Sequence, residues 1–467
     1  MLVKSPPAGG FETSADVLVV GAGAAGLCAA LAAQEAGAGV VLIERDAIPS
    51  GSTALSAGLI PAAGTRFQRE LGIDDSPELF ARDISHKAHG EADEALLGLV
   101  AREAGPTVEW LADRYDLPFS VVHDFNYPGH SARRMHGLPT RSGAELVDRL
   151  RAAVEQTDAT LLTGATAVSL FADEESRVLG VEIERPDGAR EAIGCRALVF
   201  ACNGYGGNSE LVARHIPAMR GALYFGHPGN RGDALLGGEA LGAASAHLSG
   251  YQGHGSVAHP HGILITWATI MEGGFQVDAR GERFCDESRG YSEQAEDVIA
   301  RPGAIAFTIF DERIAAIARQ FEDFRQAEST GAIIEAATIE DLAEKLKLPA
   351  SALIASFTDV EAQKRGEGSD RFGRAFADRP PLTAPFKGVR VTGALFHTQG
   401  GLVVDAEARV MTRQRRQLPN LFAAGGAAAG VSGSSASGYL SGNGLLTATV
   451  LGRVAGAAAA GFRQEAS

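Results

Sequence analysis

The chain has 467 residues, 45% of them apolar, enough to build two or three domains around a large core, and its formal net charge is -15. That charge, with no basic run anywhere, excludes nucleic acid and anionic membrane surfaces as expected partners. The N-terminal "MLVKSPPAGGFETSAD" has no apolar core and no stretch nears the roughly 18 uninterrupted apolar residues of a membrane span, so a cytoplasmic protein without one is expected.

The first predicted unit is "DVLVVGAGAAGLCAALAAQEAGAGVVLIERD", residues 16–46: an apolar strand, Gly21-x-Gly23-x-x-Gly26, an Ala-rich helix, a second strand and Glu44. This is a βαβ dinucleotide-binding unit. Gly21 permits the turn, Gly23 lets the backbone approach a pyrophosphate, and Gly26 lets helix and strand pack closely. The phosphates would sit on free N–H groups at the helix N-terminus, and Glu44, 18 residues after Gly26, can accept from the ribose hydroxyls. A second Gly/Ser loop follows, "IPSGSTALSAGLIPAAG". Next come "ALVFACNGYGGN" (197–208) and "LPNLFAAGGAAAGVSG" (418–433), each a buried strand running into a glycine turn. Such scattered loops suit a cofactor that lies across a whole domain, which favours FAD over NAD. Cys28, Cys195, Cys202 and Cys285 show no metal-ligand spacing, so reduced thiols and no metal site are expected.

These stretches, with "GERFCDES" (281–288), "FHTQGGLVVD" (396–405) and "SGNGLLTATVLGRVAG" (441–456), resemble the flavoprotein family of fumarate reductases, succinate dehydrogenase flavoprotein subunits and 3-ketosteroid dehydrogenases. The resemblance runs from about residue 15 to the end. It implies an α/β fold in which a Rossmann-type FAD domain, 14–247 plus 395–467, is interrupted by a smaller α+β capping domain, 248–394. It also implies FAD contacts from Gly21, Gly23, Ala24, Ala25, Gly26, Glu44 and Arg45, from Ser52, Thr53, Ser56, Ala57 and Gly58, and from Ala201, Asn203, Gly204, Gly425, Gly426, Asn443 and Leu445. One departure is Gly426, where the family usually has a glutamate. Ser52 and Thr53 stand where covalently flavinylated members carry a histidine, so non-covalent FAD is expected.

Within 248–394 the pattern is mixed. "TIEDLAEKLKLPASALIASFTDVEAQKRG" predicts a helical pair whose first member has a capping-box start at Thr338. "RGEGSDRFGRAFADRPPL", 365–382, reads as a surface loop with solvated arginines.

The turn "SASGYLSGNGLL" (435–446) carries the decisive difference. Dicarboxylate-reducing members of the family place an arginine just ahead of the last helix, and a second arginine four residues after the glutamate of the segment matching "CDES". This chain has Tyr439 and Tyr291 there, and a phenol offers no bidentate charged fork for a carboxylate. The 3-ketosteroid dehydrogenases carry tyrosines at both places.

Removing hydrogens α and β to a ketone needs a base, a donor to the ketone oxygen and a hydride acceptor. Flavin N5 is the acceptor. By resemblance to the 1,2-desaturating ketosteroid enzymes, Tyr291 is the base, with a lowered pKa, and Tyr439 the oxyanion donor, helped by a backbone N–H of Gly442 or Asn443. Tyr439-Leu440-Ser441 is similar to the 4-dehydrogenases, in which Ser441 would contribute and the two roles would be exchanged. Tyr127, His254, His397 and Arg289 are further pocket candidates.

The expected substrate is a small cyclic ketone, a 3-ketosteroid or a smaller ring such as an oxocyclohexanecarboxylate, with an electron acceptor the sequence does not identify. The alternatives are a flavin-dependent ene-reductase of the fumarate or urocanate type and a non-catalytic electron-transfer subunit.

Overall fold

A computed structural model describes residues 1–376 and 379–462. β1 (Thr13–Val20) ends in four buried residues, Val17 to Val20, and turns through Gly21 into α1 (Ala24–Glu35), after which the chain returns as β2 (Val40–Ile43). Gly21 has φ +102°, and a side chain on Gly26 would run into the Gly21 carbonyl, so both glycines are required by backbone geometry. β3 (Thr160–Leu162), β4 (Thr166–Ala172), β5 (Val178–Glu184) and β6 (Arg190–Phe200) follow.

The capping layer is built on β7 (Tyr251–Ala258), α2 (Tyr291–Ile299), β8 (Ile305–Asp311), α3 (Glu322–Ser329) and β9 (Phe386–Thr398). The chain then re-enters the first layer through β10 (Gln417–Ala423) and closes on α4 (Asn443–Gly461).

The central sheet runs parallel in the order β3-β2-β1-β6-β10, with the β4-β5 hairpin antiparallel beside the first half of β6. Its strands read as near-continuous apolar runs because helices cover them. The second sheet is mainly antiparallel, with β9 between β7 and β8. The fold is therefore the expected α/β architecture with a cap. The boundary expected between 394 and 395 falls inside β9, whose last residues, His397 and Thr398, pair with Gln252 and Tyr251.

α4 is, among the described residues, one helix long and apolar enough by composition to cross a membrane. Its apolarity is used internally: Gly452 and Gly456 lie so close to α1 that a side chain on either would strike the backbone of Ala25 or Ala29. Small residues on both helices allow this approach.

The predicted helical pair is observed as Ile339–Leu346 and Ala350–Lys364, and the Thr338 hydroxyl accepts from the Asp341 N–H at 3.1 Å. The 365–382 segment is not wholly a solvated loop. Arg374 is only 5% exposed, bonding Glu287 at 3.0 Å and the Ile270 carbonyl at 2.7 Å, and Phe376 and Leu382 are buried. Polar composition marked the loop, but a buried carboxylate from a distant segment draws its middle inward.

Candidate functional site

One cavity runs from the glycine loop after β1 to the junction with the cap. At one end Gly21, Gly23, Ala24 and Ala25 meet Glu44 and Arg45. α1 begins after its N-cap Gly23 with no acidic residue in its own first turn, so the positive end of the helix faces the cavity. Glu44 is 8% exposed; its Oε2 accepts from Ala22 N–H at 2.8 Å and Oε1 from Asp46 N–H at 3.0 Å. The remaining lone pairs of this fixed carboxylate can still accept from ribose hydroxyls.

Further along, Ser52, Thr53, Ser56, Ala57 and Gly58 form one wall, and Ala201, Asn203, Gly425, Gly426 and Leu445 another. Thr53 Oγ1 accepts from Ala24 N–H at 3.1 Å, tying the second Gly/Ser loop to the first turn of α1. Gly426 packs against Asn203, so a side chain there, such as the glutamate expected from the resemblance, would strike the Asn203 amide. The donor set and open glycine cradle fit FAD: anion-accepting N–H groups at one end, a ribose-binding carboxylate beside them, and a long slot beyond.

Three expected contacts lie behind the wall rather than in it. Gly26 serves helix packing, Gly204 abuts Thr398, and the Asn443 amide donates to Ser432 Oγ at 2.9 Å. His227 was assigned no role by sequence, yet it lines the cavity and its N–H donates to Ser52 Oγ at 3.0 Å.

At the far end Tyr291, the first residue of α2, faces Tyr439 from the turn before α4. Their ring centroids are 6.0 Å apart, and the two side chains are 6% and 5% exposed. His254 of β7 stacks on Tyr291 at 4.8 Å, and His397 of β9 meets Tyr439 edge to face at 5.9 Å. Tyr127, Ser441 and Gly442 line the same space, with Tyr127 packed on Phe125 at 4.9 Å. His130, also without an expected role, braces the turn through the Ser441 carbonyl at 2.9 Å.

Three expectations need correction. Arg289 does not line this cavity; it is half exposed and paired with Asp297 at 2.8 Å, because the short turn before α2 points it outward. The Asn443 N–H is taken by the Leu440 carbonyl at 3.0 Å; the Gly444 N–H donates to the Tyr439 phenol oxygen at 3.3 Å, and the expected Gly442 N–H faces the same oxygen. Neither phenol is acidified. Burial pushes Tyr439 up to about 12 against the opposing Gly444 N–H, and burial together with Tyr439 holds Tyr291 well above 10. Burial also lowers His254 to about 3 and His397 to about 4, so both are neutral and supply no cation.

Trp267, Thr266, Leu264, Phe321 and Asp323 also line this end. No periodicity or motif pointed to them, since they lie in short cap segments whose neighbours come from elsewhere in the chain.

A family of sequences described as "FAD binding domain" matches residues 16–445. The chain belongs to this family. Its cofactor is accordingly FAD. This flavoprotein is 29% identical over 97% of its length to the probable fumarate reductase Ifc3 of Shewanella frigidimarina, covering 76% of that protein. It is 27% identical over 94% of its length to the 4-oxocyclohexanecarboxylate 2-dehydrogenase of Sinomonas cyclohexanicum, covering 93% of it.

Among solved structures it is similar to the open conformation of a flavocytochrome c3 fumarate reductase, with TM-score 0.81, 28% identity, and 97% and 79% of the two chains covered. It shares its fold with the 3-ketosteroid-Δ4-(5α)-dehydrogenase of Rhodococcus jostii RHA1, with TM-score 0.75, 24% identity, and 98% and 99% covered. The flavoprotein is an oxidoreductase of the fumarate reductase family.

Replacement of Glu44 by alanine is expected to weaken FAD binding by about 10- to 100-fold, the worth of one or two hydrogen bonds to a charged group. The ratio of flavin to protein absorbance after gel filtration measures it.

Proposed function

We propose that this flavoprotein dehydrogenates a cyclic ketone, forming a C=C bond α,β to the carbonyl. One observation carries the reading: two buried phenols, Tyr291 and Tyr439, stand together in the cavity wall, while among the described residues the sole arginine or lysine lining it is Arg45, at the dinucleotide end beside Asp233. A dicarboxylate would find no guanidinium fork at the phenol end. The likeness to a 4-oxocyclohexanecarboxylate dehydrogenase supports the same class.

Bound FAD would supply the hydride acceptor. The residues of the chain do the rest. The Tyr439 oxygen accepts from the Gly444 N–H at the N-terminus of α4, which leaves the phenol O–H to donate where the helix dipole favours negative charge, so it suits the ketone oxygen as it becomes enolate-like. Tyr291, having first lost its own proton to water, takes the α proton as a phenolate, with Ser441 as its hydrogen-bonding neighbour. His254 and Trp267 pack on Tyr291, and Phe396 stacks on the His254 ring, surrounding this phenol with aromatic rings.

The relatives named as fumarate reductases favour a second reading, the reduction of an activated alkene. Anaerobic mixing of the oxidised, FAD-loaded protein with a panel of 3-ketosteroids and cyclohexanones decides. Bleaching of the flavin by a saturated ketone supports the dehydrogenase; bleaching by none, with rapid reoxidation of the reduced protein by fumarate or urocanate, supports the reductase.

A further inference from the structure

Asp323 is the one acidic residue at the phenol end of the cavity among the described residues. It sits in the first turn of α3, next to cavity-lining Phe321, and α3 packs on the short strand Ile263–Leu264, whose Leu264 lines the same space. Phe321 touches Phe125 at 6.0 Å and Phe125 touches Tyr127 at 4.9 Å, so an aromatic wall joins Asp323 to the tyrosine pair. Among the described residues no hydrogen bond or ion pair reaches its carboxylate, and no lysine or arginine lines this end.

An acidic residue in a helix's first turn is commonplace and ordinarily serves the helix. Here it does not cap: α3 has no side-chain cap bond, and neither carboxylate oxygen takes a backbone N–H. Asp323 is half-buried; that partial burial, with a smaller contribution from Glu322, pushes its carboxyl up to about 6, as befits an anion that lacks a partner. An uncompensated carboxylate in a wall without cations repels a carboxylated ligand and rewards one that brings a donor.

We infer that Asp323 selects the far end of the substrate: the ring occupying this cavity carries, remote from its ketone, a hydrogen-bond donor such as an ammonium or hydroxyl group, and not a carboxylate. The inference rests on the ring-ketone reading above and sharpens it, since it separates this chain from an enzyme for an oxocyclohexanecarboxylate.

The test uses phenols, which imitate the enol of a ring ketone and cannot be dehydrogenated, so binding is read without turnover. Para-substituted phenols and the longer hydroxybiphenyls, each bearing an aminomethyl, hydroxymethyl or carboxylate group, are titrated into the oxidised, FAD-loaded protein while the flavin spectrum is followed. The aminomethyl member of at least one series is expected to bind about tenfold or more tighter than the carboxylate member. Asp323→Asn should shrink that gap to about threefold or less with flavin content unchanged.

Equal or tighter binding of the carboxylate, an unchanged gap in Asp323→Asn, or no binding of any phenol overturns the inference. If the phenols keep the expected order but no ketone bleaches the flavin, the dehydrogenase reading falls and the role of Asp323 stands.

Discussion

Tyr439→Phe and Tyr291→Phe are each expected to leave the protein yellow, with unchanged FAD content, and to slow flavin bleaching by a cyclic ketone by about 100- to 10,000-fold. Each substitution removes one oxygen from a packed aromatic cluster and leaves its volume intact, so the fold has no reason to respond. The two variants should differ in pH dependence. Tyr291 must lose its proton before it can take another, and burial holds it well above 10, so the wild-type bleaching rate should climb about tenfold per pH unit from neutrality to beyond pH 9. Tyr439→Phe should keep that slope at a lower rate, because it loses a donor. Tyr291→Phe should flatten it. Stopped-flow absorbance of the reductive half-reaction reads both, and wild-type rates in either variant would remove the mechanism.

The second large effect concerns stability. Glu287 is fully buried four residues before Tyr291. Its carboxylate accepts from Arg283 at 2.9 and 3.1 Å, from Arg374 at 3.0 Å and from the Gln276 N–H at 3.0 Å. Glu287→Gln keeps the shape but leaves two guanidinium groups against a neutral amide, with Asp370 still pairing Arg283 at 2.7 Å. The expected cost is about 3–5 kcal/mol, seen as a lower urea midpoint with an unchanged slope.

The sign of the pH dependence follows from the carboxyl. Burial alone would raise it, yet Arg374 and Arg283 prevail and hold it below its ordinary 4.5. Its contribution is therefore fully present above that value and is lost as pH falls through the lower folded value. Wild type and Glu287→Gln should converge in acid and differ most near neutrality. A gap that widened in acid would contradict this account.

The cofactor end of the site was legible because its chemistry is local. Gly21, Gly23, Gly26 and Glu44 belong to a single βαβ unit, where φ, helix polarity and strand spacing leave few choices of residue type. The phenol end was half legible. Tyr291 and Tyr439 stood out where the family resemblance led one to expect arginines, but their protonation did not, since it depends on His254, Trp267 and Ile270 packing around them. Arg289 looked useful beside Tyr291 and turned out to face Asp297, a matter of one short turn. Arg374 read as a solvated loop residue although it is bound to a glutamate 87 residues away.

By itself, then, the sequence determined the βαβ start, the cofactor class and the capped α/β architecture, which rest on residue type and short-range spacing. Only the tertiary structure decided which N–H stands beside Tyr439, how burial sets the two phenols, and that Asp323 faces the same cavity. Each of these depends on groups brought together across long loops, and desolvation and pairing are properties of that assembled environment rather than of any one segment.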